Sequence, residues 1–288
     1  MTDWPVLVVT GVMSGLVTGL AALAVTLVFG IARFANAATG DVMTLGAYVA
    51  LGVGTATGSL LLGGAAGIVA AMLAGVIAYW LVFRQLAGRS SVTALLASIG
   101  VGFMIRSGLA LVYGYQQQVF AIPLARPWRP WGVRILPIDA ELAALALATL
   151  AVVFLVLHAT PMGRRMRAVA DDPALAQVSG IAPQKVMIAL WTMAGGVAAI
   201  AGIMLAMKTA VAPEMGWNTL LPGFTAAILG GIGSPIGAVL AGLILGLVQE
   251  LASPFVGFTY KLAVVFIALL LVLLVRPSGL FGRRERLR

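Results

Sequence analysis

The stretch Asn36–Tyr48, NAATGDVMTLGAY, interrupts an apolar run at the place where a membrane helix has to end or begin. Residues 6–30 before it and 42–58 after it carry no charged side chain. Two readings of Asn36, Thr39, Gly40 and Asp41 follow. In one, Asn36 or Thr39 caps the next helix, Asp41 meets the positive end of its dipole, and Gly40 allows the turn. In the other, the stretch passes through the membrane without helix, its backbone and the Asn36 amide turned to a cavity.

The rest of the chain says which solvent that helix meets. Of 288 residues, 61% are hydrophobic and 9% charged, against about 25% charged in soluble domains. Polar groups this scarce cannot cover a water-facing surface. Apolar runs predict spans near 6–30, 42–58, 60–83, 90–113, 140–158, 186–208, 219–230, 236–252 and 258–275; roughly 20 residues cross the ~30 Å of hydrocarbon. The expectation is an all-α, polytopic integral membrane protein with about eight to nine transmembrane helices. One of these is short or broken near 219–235, where Gly230, Gly231, Gly233 and Pro235 follow. The N-terminus, MTDWPVLVV, has no basic region before its apolar run, so the first span is expected to be retained. Glycines four apart (Gly11, Gly15 and Gly19; Gly233 and Gly237; Gly242 and Gly246) predict close helix packing.

The net charge of +9 follows topology better than nucleic acid, because Lys and Arg sit in short loops between apolar runs. With the C-terminus cytoplasmic and the N-terminus outside, twelve basic residues fall inside: Arg33, Arg84, Arg89, Arg164, Arg165, Arg167, Lys185, Arg276, Arg283, Arg284, Arg286 and Arg288. Five fall outside: Arg126, Arg129, Arg134, Lys208 and Lys261. The outer loop 114–139 places Trp128 and Trp131 among prolines, which suits an interfacial belt and argues against helix.

Catalytic and metal chemistry find no motif. His158 is the one histidine, there is no cysteine, and no glycine is followed by lysine, so a zinc motif and a phosphate loop are both excluded. No metal or cofactor is expected. Arg106, inside the span 90–113, is costly in lipid and marks a substrate path, a snorkelling group or an ion pair. Glu250 is the partner expected from depth, since Asp41 counts as lying near the inner end.

The inner loop 159–185 contains GRRMRAVADDPALAQVSGI. Asp172 followed by Pro173 predicts an N-cap opening a short helix that ends at Gly180, so the loop reads as two short helices with a basic face. It is either an ordinary positive-inside loop or an element that docks on a cytoplasmic partner.

Four stretches together resemble the permease subunits of ATP-binding-cassette (ABC) importers for branched-chain amino acids. They are the Asn36–Tyr48 signature (Asn36, Ala38, Gly40, Asp41, Gly46, Ala47, Tyr48), GRRMRAVADDPALAQVSGI, LPGFTAAILGGIGSPIGAVLAGLILGLVQEL and RPSGLFG at Arg276–Gly282. The chain resembles the shorter of the family's two related kinds. Departures from the usual pattern are Thr39 for His, Asp41 for Glu, Leu262 for an acidic residue, and Arg106. The resemblance implies one permease domain over 1–288 in a bacterial inner membrane. It also implies a second related permease, two ATPase subunits and an extracytoplasmic solute-binding protein as partners. ATP hydrolysis would lie on the partner chains. Substrate-path candidates are Asn36, Thr39, Gly40, Asp41, Tyr48 and Arg106. ATPase-coupling candidates are Gly163, Arg164, Arg167, Ala168, Asp171, Ala174, Ala176 and Gly180. Relatives assigned to urea, amides and aromatic or other carboxylic acids keep those substrates open. A self-sufficient ion-coupled transporter or channel is the rival class, and few ionisable residues are available for it.

Overall fold

The computed structural model describes residues 4–121, 126–128, 136–276 and 279–281. Trp131, Arg129, Arg134, Gly282 and the basic tail residues Arg283, Arg284, Arg286 and Arg288 lie outside the described residues. Among the described residues there are eleven α-helices and no strand longer than an isolated bridge. They are α1 (Trp4–Ala32), α2 (Thr39–Thr57), α3 (Leu60–Ala78), α4 (Ser91–Tyr113), α5 (Pro137–Ala159), α6 (Pro161–Asp171), α7 (Pro173–Val178), α8 (Pro183–Lys208), α9 (Met215–Gly230), α10 (Pro235–Val256) and α11 (Lys261–Val275). Seven helical stretches are long and apolar enough to cross a membrane. The predicted spans 42–58 and 219–230 correspond to α2 and α9, which are not among those seven.

Burial sorts the helices into a centre and a rim. In α1, 78% of the apolar window is buried inside the bundle, whereas in the last span only 6% is. Leu61, Leu111 and Leu274 on the rim are almost wholly exposed. Water would penalise such a surface heavily; hydrocarbon does not, and the helices satisfy their own backbone groups.

Lipid is as apolar as leucine, so close approach rather than the hydrophobic effect joins the central helices. The glycines of α1 face α10: a Cβ on Gly11 would stand 3.1 Å from Leu247 Cα, and one on Gly15 would stand 2.8 Å from Leu243 Cα. From the other side, a Cβ on Gly242 would collide with Gly19 and one on Gly246 with Gly15. The predicted four-residue glycine spacing is therefore an antiparallel α1–α10 seam. Gly233 is not part of it; its φ of 86° makes it a turn residue ahead of α10. Elsewhere Gly63 and Gly67 of α3 press on Ala50 and Gly46 of α2, and Gly195 of α8 presses on Ala71 of α3.

The loop 159–185 folds as its sequence predicts. Asp172 has extended backbone angles, and its Oδ1 accepts from the amides of Ala174 at 2.9 Å and Leu175 at 3.1 Å. Gly180, with φ 81°, ends the segment. Thr160 caps α6 by accepting from the amide of Gly163 at 3.3 Å. Asp172→Ala is expected to remove about 1 kcal/mol of local stability. Faster amide hydrogen exchange confined to Ala174 and Leu175 checks this; unchanged exchange there would contradict the cap. At the opposite end of the bundle, the loop after α4 meets the loop after α8. The Gln118 amide donates to Val211 O at 2.9 Å, and the Val211 amide donates to Gln118 O at 2.7 Å. Residues 114–121 are not helical, in line with the expectation for the 114–139 loop.

Candidate functional site

The site is built where α1 stops and α2 has not yet begun. Arg33 has φ 58°, the only positive value outside glycine among the described residues, and turns the chain at the end of α1. Arg33–Ala38 is non-helical, and Asn36, Ala37 and Ala38 are buried. Ser98 of α4 receives this backbone: its Oγ accepts from the Ala37 amide at 2.9 Å and donates to Leu95 O at 2.7 Å. Asn36 Oδ1 accepts from the Ala38 amide at 3.1 Å, and Thr39 Oγ1 donates back to Asn36 O at 2.9 Å. Neither side chain caps α2, which has no side-chain cap bond at Ala38. These two residues instead close the turn that precedes the helix: the cap expected of Asn36 or Thr39 does not form, and Gly40 lies inside α2 rather than in the turn.

Asn36, Ala38 and Thr39 border a small cavity of about 20 Å³ with Phe83, Val101, Trp191 and Gly195. That is room for a single water. A π-helical turn at Tyr79–Phe83 ends α3 and brings both aromatic rings onto Trp191. Phe83 and Trp191 stack at 4.6 Å between centroids, and Phe34 stacks on Phe83 at 5.2 Å. The Trp191 Nε1 donor has no partner within the chain among the described residues. Sequence reasoning passed over Ser98, Phe83 and Trp191; as apolar or small residues in apolar runs, they offer no local signal.

Arg106 corrects an expectation. It does not pair with Glu250. Its Nε and Nη2 both lie 2.9 Å from Asp41 Oδ1, a side-on ion pair with Asp41 1% exposed and Arg106 14% exposed. The reason is depth. Asp41 counted as an inner-end residue when α2 was taken to begin at the membrane edge. The non-helical passage carries the start of α2 up beside Ser98 and Gly102, roughly 10–16 Å along α4. Arg106 is one turn further on. Phe103 and Trp217 flank its guanidinium, with ring centroids at 5.2 and 4.9 Å, adding cation–π attraction. Glu250 is engaged elsewhere. Gly257 (φ 86°) reverses the chain after α10, and Lys261 Nζ reaches both Glu250 oxygens at 2.8 Å, while Ser14 Oγ donates to Oε1 at 3.3 Å.

The remaining path candidates are packing residues in this structure. Gly40 faces Gly216 at the start of α9, where a Cβ would stand 2.5 Å from Gly216 O. The Gly216 amide donates to Thr44 Oγ1 at 3.1 Å. The starts of α2 and α9 therefore meet inside the bundle. Tyr48 is fully buried against Tyr113, centroids 4.7 Å apart.

The coupling candidates divide in the same way. Gly163 and Ala176 are buried; a Cβ on Gly163 would collide with the carbonyls of Val156 and Leu157. Arg164, Asp171, Ala174 and Gly180 are exposed, and Ala168 is half-buried. Arg167 donates through Nη1 to Leu157 O. On α7, Leu175 (64% exposed) and Val178 (87% exposed) stand out as apolar side chains beside the basic ones. Arg33 ties this segment to the α1–α2 break: its Nη2 donates to Ala170 O at 2.8 Å and Asp171 O at 3.0 Å, placing a cation on the C-terminal end of α6.

The chain is similar in sequence to known transport permeases. The high-affinity branched-chain amino acid transport system permease LivH of Escherichia coli K12 is 31% identical over 96% of this chain and 94% of its own length. BraD of Pseudomonas aeruginosa, of the same description, is 30% identical over 96% and 95%. PsaBC from Streptococcus pneumoniae, solved in complex with a Fab, superposes with a TM-score of 0.50 over 93% of this chain and 91% of its own. At 14% identity it speaks to the fold alone. The family model of the branched-chain amino acid transport system permease component matches residues 7–275, and the chain belongs to that family.

Proposed function

We propose that the chain, as a single permease domain over 1–288, is one half of the membrane pathway of an ATP-driven importer for branched-chain amino acids. The observation that carries this reading is the family match over nearly the whole chain. Access alternates under ATP hydrolysis by separate ATPase subunits; the chain itself catalyses nothing. A second related permease completes the pathway, and a solute-binding protein delivers substrate from the side of the 114–139 loop. The membrane is a bacterial inner membrane, with the N-terminus outside and the C-terminus and 159–185 in the cytoplasm. Asn36, Thr39, Asp41 and Arg106 border the route or set its charge, with Gly40 and Tyr48 holding its wall. The helices α6 and α7 carry the coupling contact through Arg164, Arg167, Ala168, Asp171 and Ala174, with Gly163, Ala176 and Gly180 shaping them.

Reconstituted vesicles test the whole reading. ATP-dependent leucine uptake is expected only with the partner subunits present, and urea or benzoate should not compete. Uptake by this chain alone, driven by an ion gradient, would overturn it.

The coupling contact has its own test. Leu175 and Val178 would be buried on docking, a gain of roughly 3 kcal/mol or more for the pair. Leu175→Glu with Val178→Glu is therefore expected to weaken ATPase association about 100-fold. Cross-links from Ala174 should reach the ATPase in the unaltered chain. Co-purification of the double variant at full yield would place the docking surface elsewhere.

A further inference from the structure

A second cavity, of about 420 Å³, opens at the α6–α7 end among the last turns of α1 and α5, helix α6, and the turn into α10. Its volume falls in the range of small-ligand sites. The groups around it favour an anion. Arg167 and His158 both line it. His158 Nδ1 donates to Phe154 O at 3.0 Å, so the neutral ring presents no second donor to the cavity, whereas Arg167 uses only Nη1 on Leu157 O. The turn Gly231–Ser234 and the start of α10 form a third wall. Among the described residues, the amides of Ile232, Gly233 and Ile236 enter no hydrogen bond. The 22-residue helix α10 begins there, so the positive end of its dipole lies at this wall.

An independent observation points to an occupant. Thr26 lines the cavity and is 2% exposed, yet its Oγ1 has no partner among the described residues. A helical threonine ordinarily bonds a carbonyl of the preceding turn, as Thr10, Thr149 and Thr192 do here. A buried hydroxyl left unbonded is costly unless something else satisfies it.

We infer that this cavity binds a phosphate-bearing anion, with Arg167 and Thr26 Oγ1 as its ligands at the N-terminal end of α10. Exposed Ile232 and Ile236 beside the opening fit a glycerophospholipid from the adjacent leaflet, whose headgroup enters while its chains remain outside. Free phosphate shares the same chemistry.

The test uses the full chain with the subunits it purifies with, in nanodiscs of phosphatidylcholine alone or doped with phosphatidylglycerol. Native mass spectrometry after delipidation reads retained lipid. The unaltered protein is expected to retain phosphatidylglycerol selectively. Arg167→Gln should lower retention about tenfold by removing a charge-assisted bond, and Thr26→Val about fivefold by removing one neutral bond. Gly30→Leu fills the cavity, since a Cβ at Gly30 meets only Gly233 Cα, at 3.7 Å. It should abolish retention. Inorganic phosphate added to phosphatidylcholine discs separates the sources: a raised melting midpoint that Thr26→Val removes assigns the site to a free anion. Phosphatidylglycerol retention equal in all variants, with no effect of phosphate, overturns the site. Should Gly30→Leu fail to assemble, the other two variants still decide.

Discussion

Arg106→Gln is expected to destabilise the bundle by about 3–5 kcal/mol, the cost of leaving one member of a buried ion pair alone. Asp41 is 1% exposed, its Oδ1 is held by Arg106, and its Oδ2 has no partner among the described residues. Without the guanidinium, the carboxylate sits among α2, α4 and α9 with nothing to offset its charge. Asp41→Asn alone should be costly for the mirror reason, softened because Arg106 is 14% exposed and retains Phe103 and Trp217. The double variant removes both charges and should recover most of the loss, because a buried pair is rarely worth more than a neutral replacement. Thermal unfolding of all four proteins in one lipid environment provides the cycle. A double variant no better than the worse single would refute the pairing. Uptake measured on the same set separates two roles. If the pair only holds α2 to α4, transport returns with stability; if Arg106 attracts substrate carboxylate, stability returns and the apparent affinity does not.

The second large effect concerns the α1–α10 seam. Gly246→Leu should cost about 3 kcal/mol, the upper end for overpacking, since the clash is with the Gly15 backbone rather than a side chain that can turn away. Gly64→Leu provides the contrast. Nothing lies within 4 Å of a Cβ there, so the melting midpoint should stay put or rise slightly. Equal effects at the two positions would mean that the seam is not closely packed. Gly11→Ala should be milder than Gly246→Ala, because Leu247 Cδ2 is one of its near neighbours and can rotate.

The α6–α7 segment illustrates what a sequence states locally. Asp172, Pro173 and Gly180 specify a cap, a first turn and a stop within nine residues, and every bond involved is short-range in the chain. The same holds for the span limits, where the ends of α1, α4 and α8 fall within three residues of the uncharged runs. The glycine periodicity marked α1 and α10 as close-packing helices without naming them as partners.

Partner choice was a different matter. Arg106 had two acidic candidates, Asp41 and Glu250, and estimated depth selected Glu250. That estimate failed because it assumed every span begins at the membrane surface. The start of α2 is set by Arg33 turning the chain and by Ser98, sixty-one residues from Ala37, accepting its amide. Likewise Trp191 and Phe83 come together because α3 and α8 approach through Ala71, Gly75 and Gly195, at separations no periodicity encodes. The sequence by itself determined the solvent, the helices and their caps, since these depend on apolar length and on bonds within a few residues. Only the tertiary structure decided how deep NAATGDVMTLGAY sits and which charge meets which. Depth and pairing are set by backbone contacts between segments far apart in the chain, and each such contact costs a polar group in hydrocarbon if left unmade.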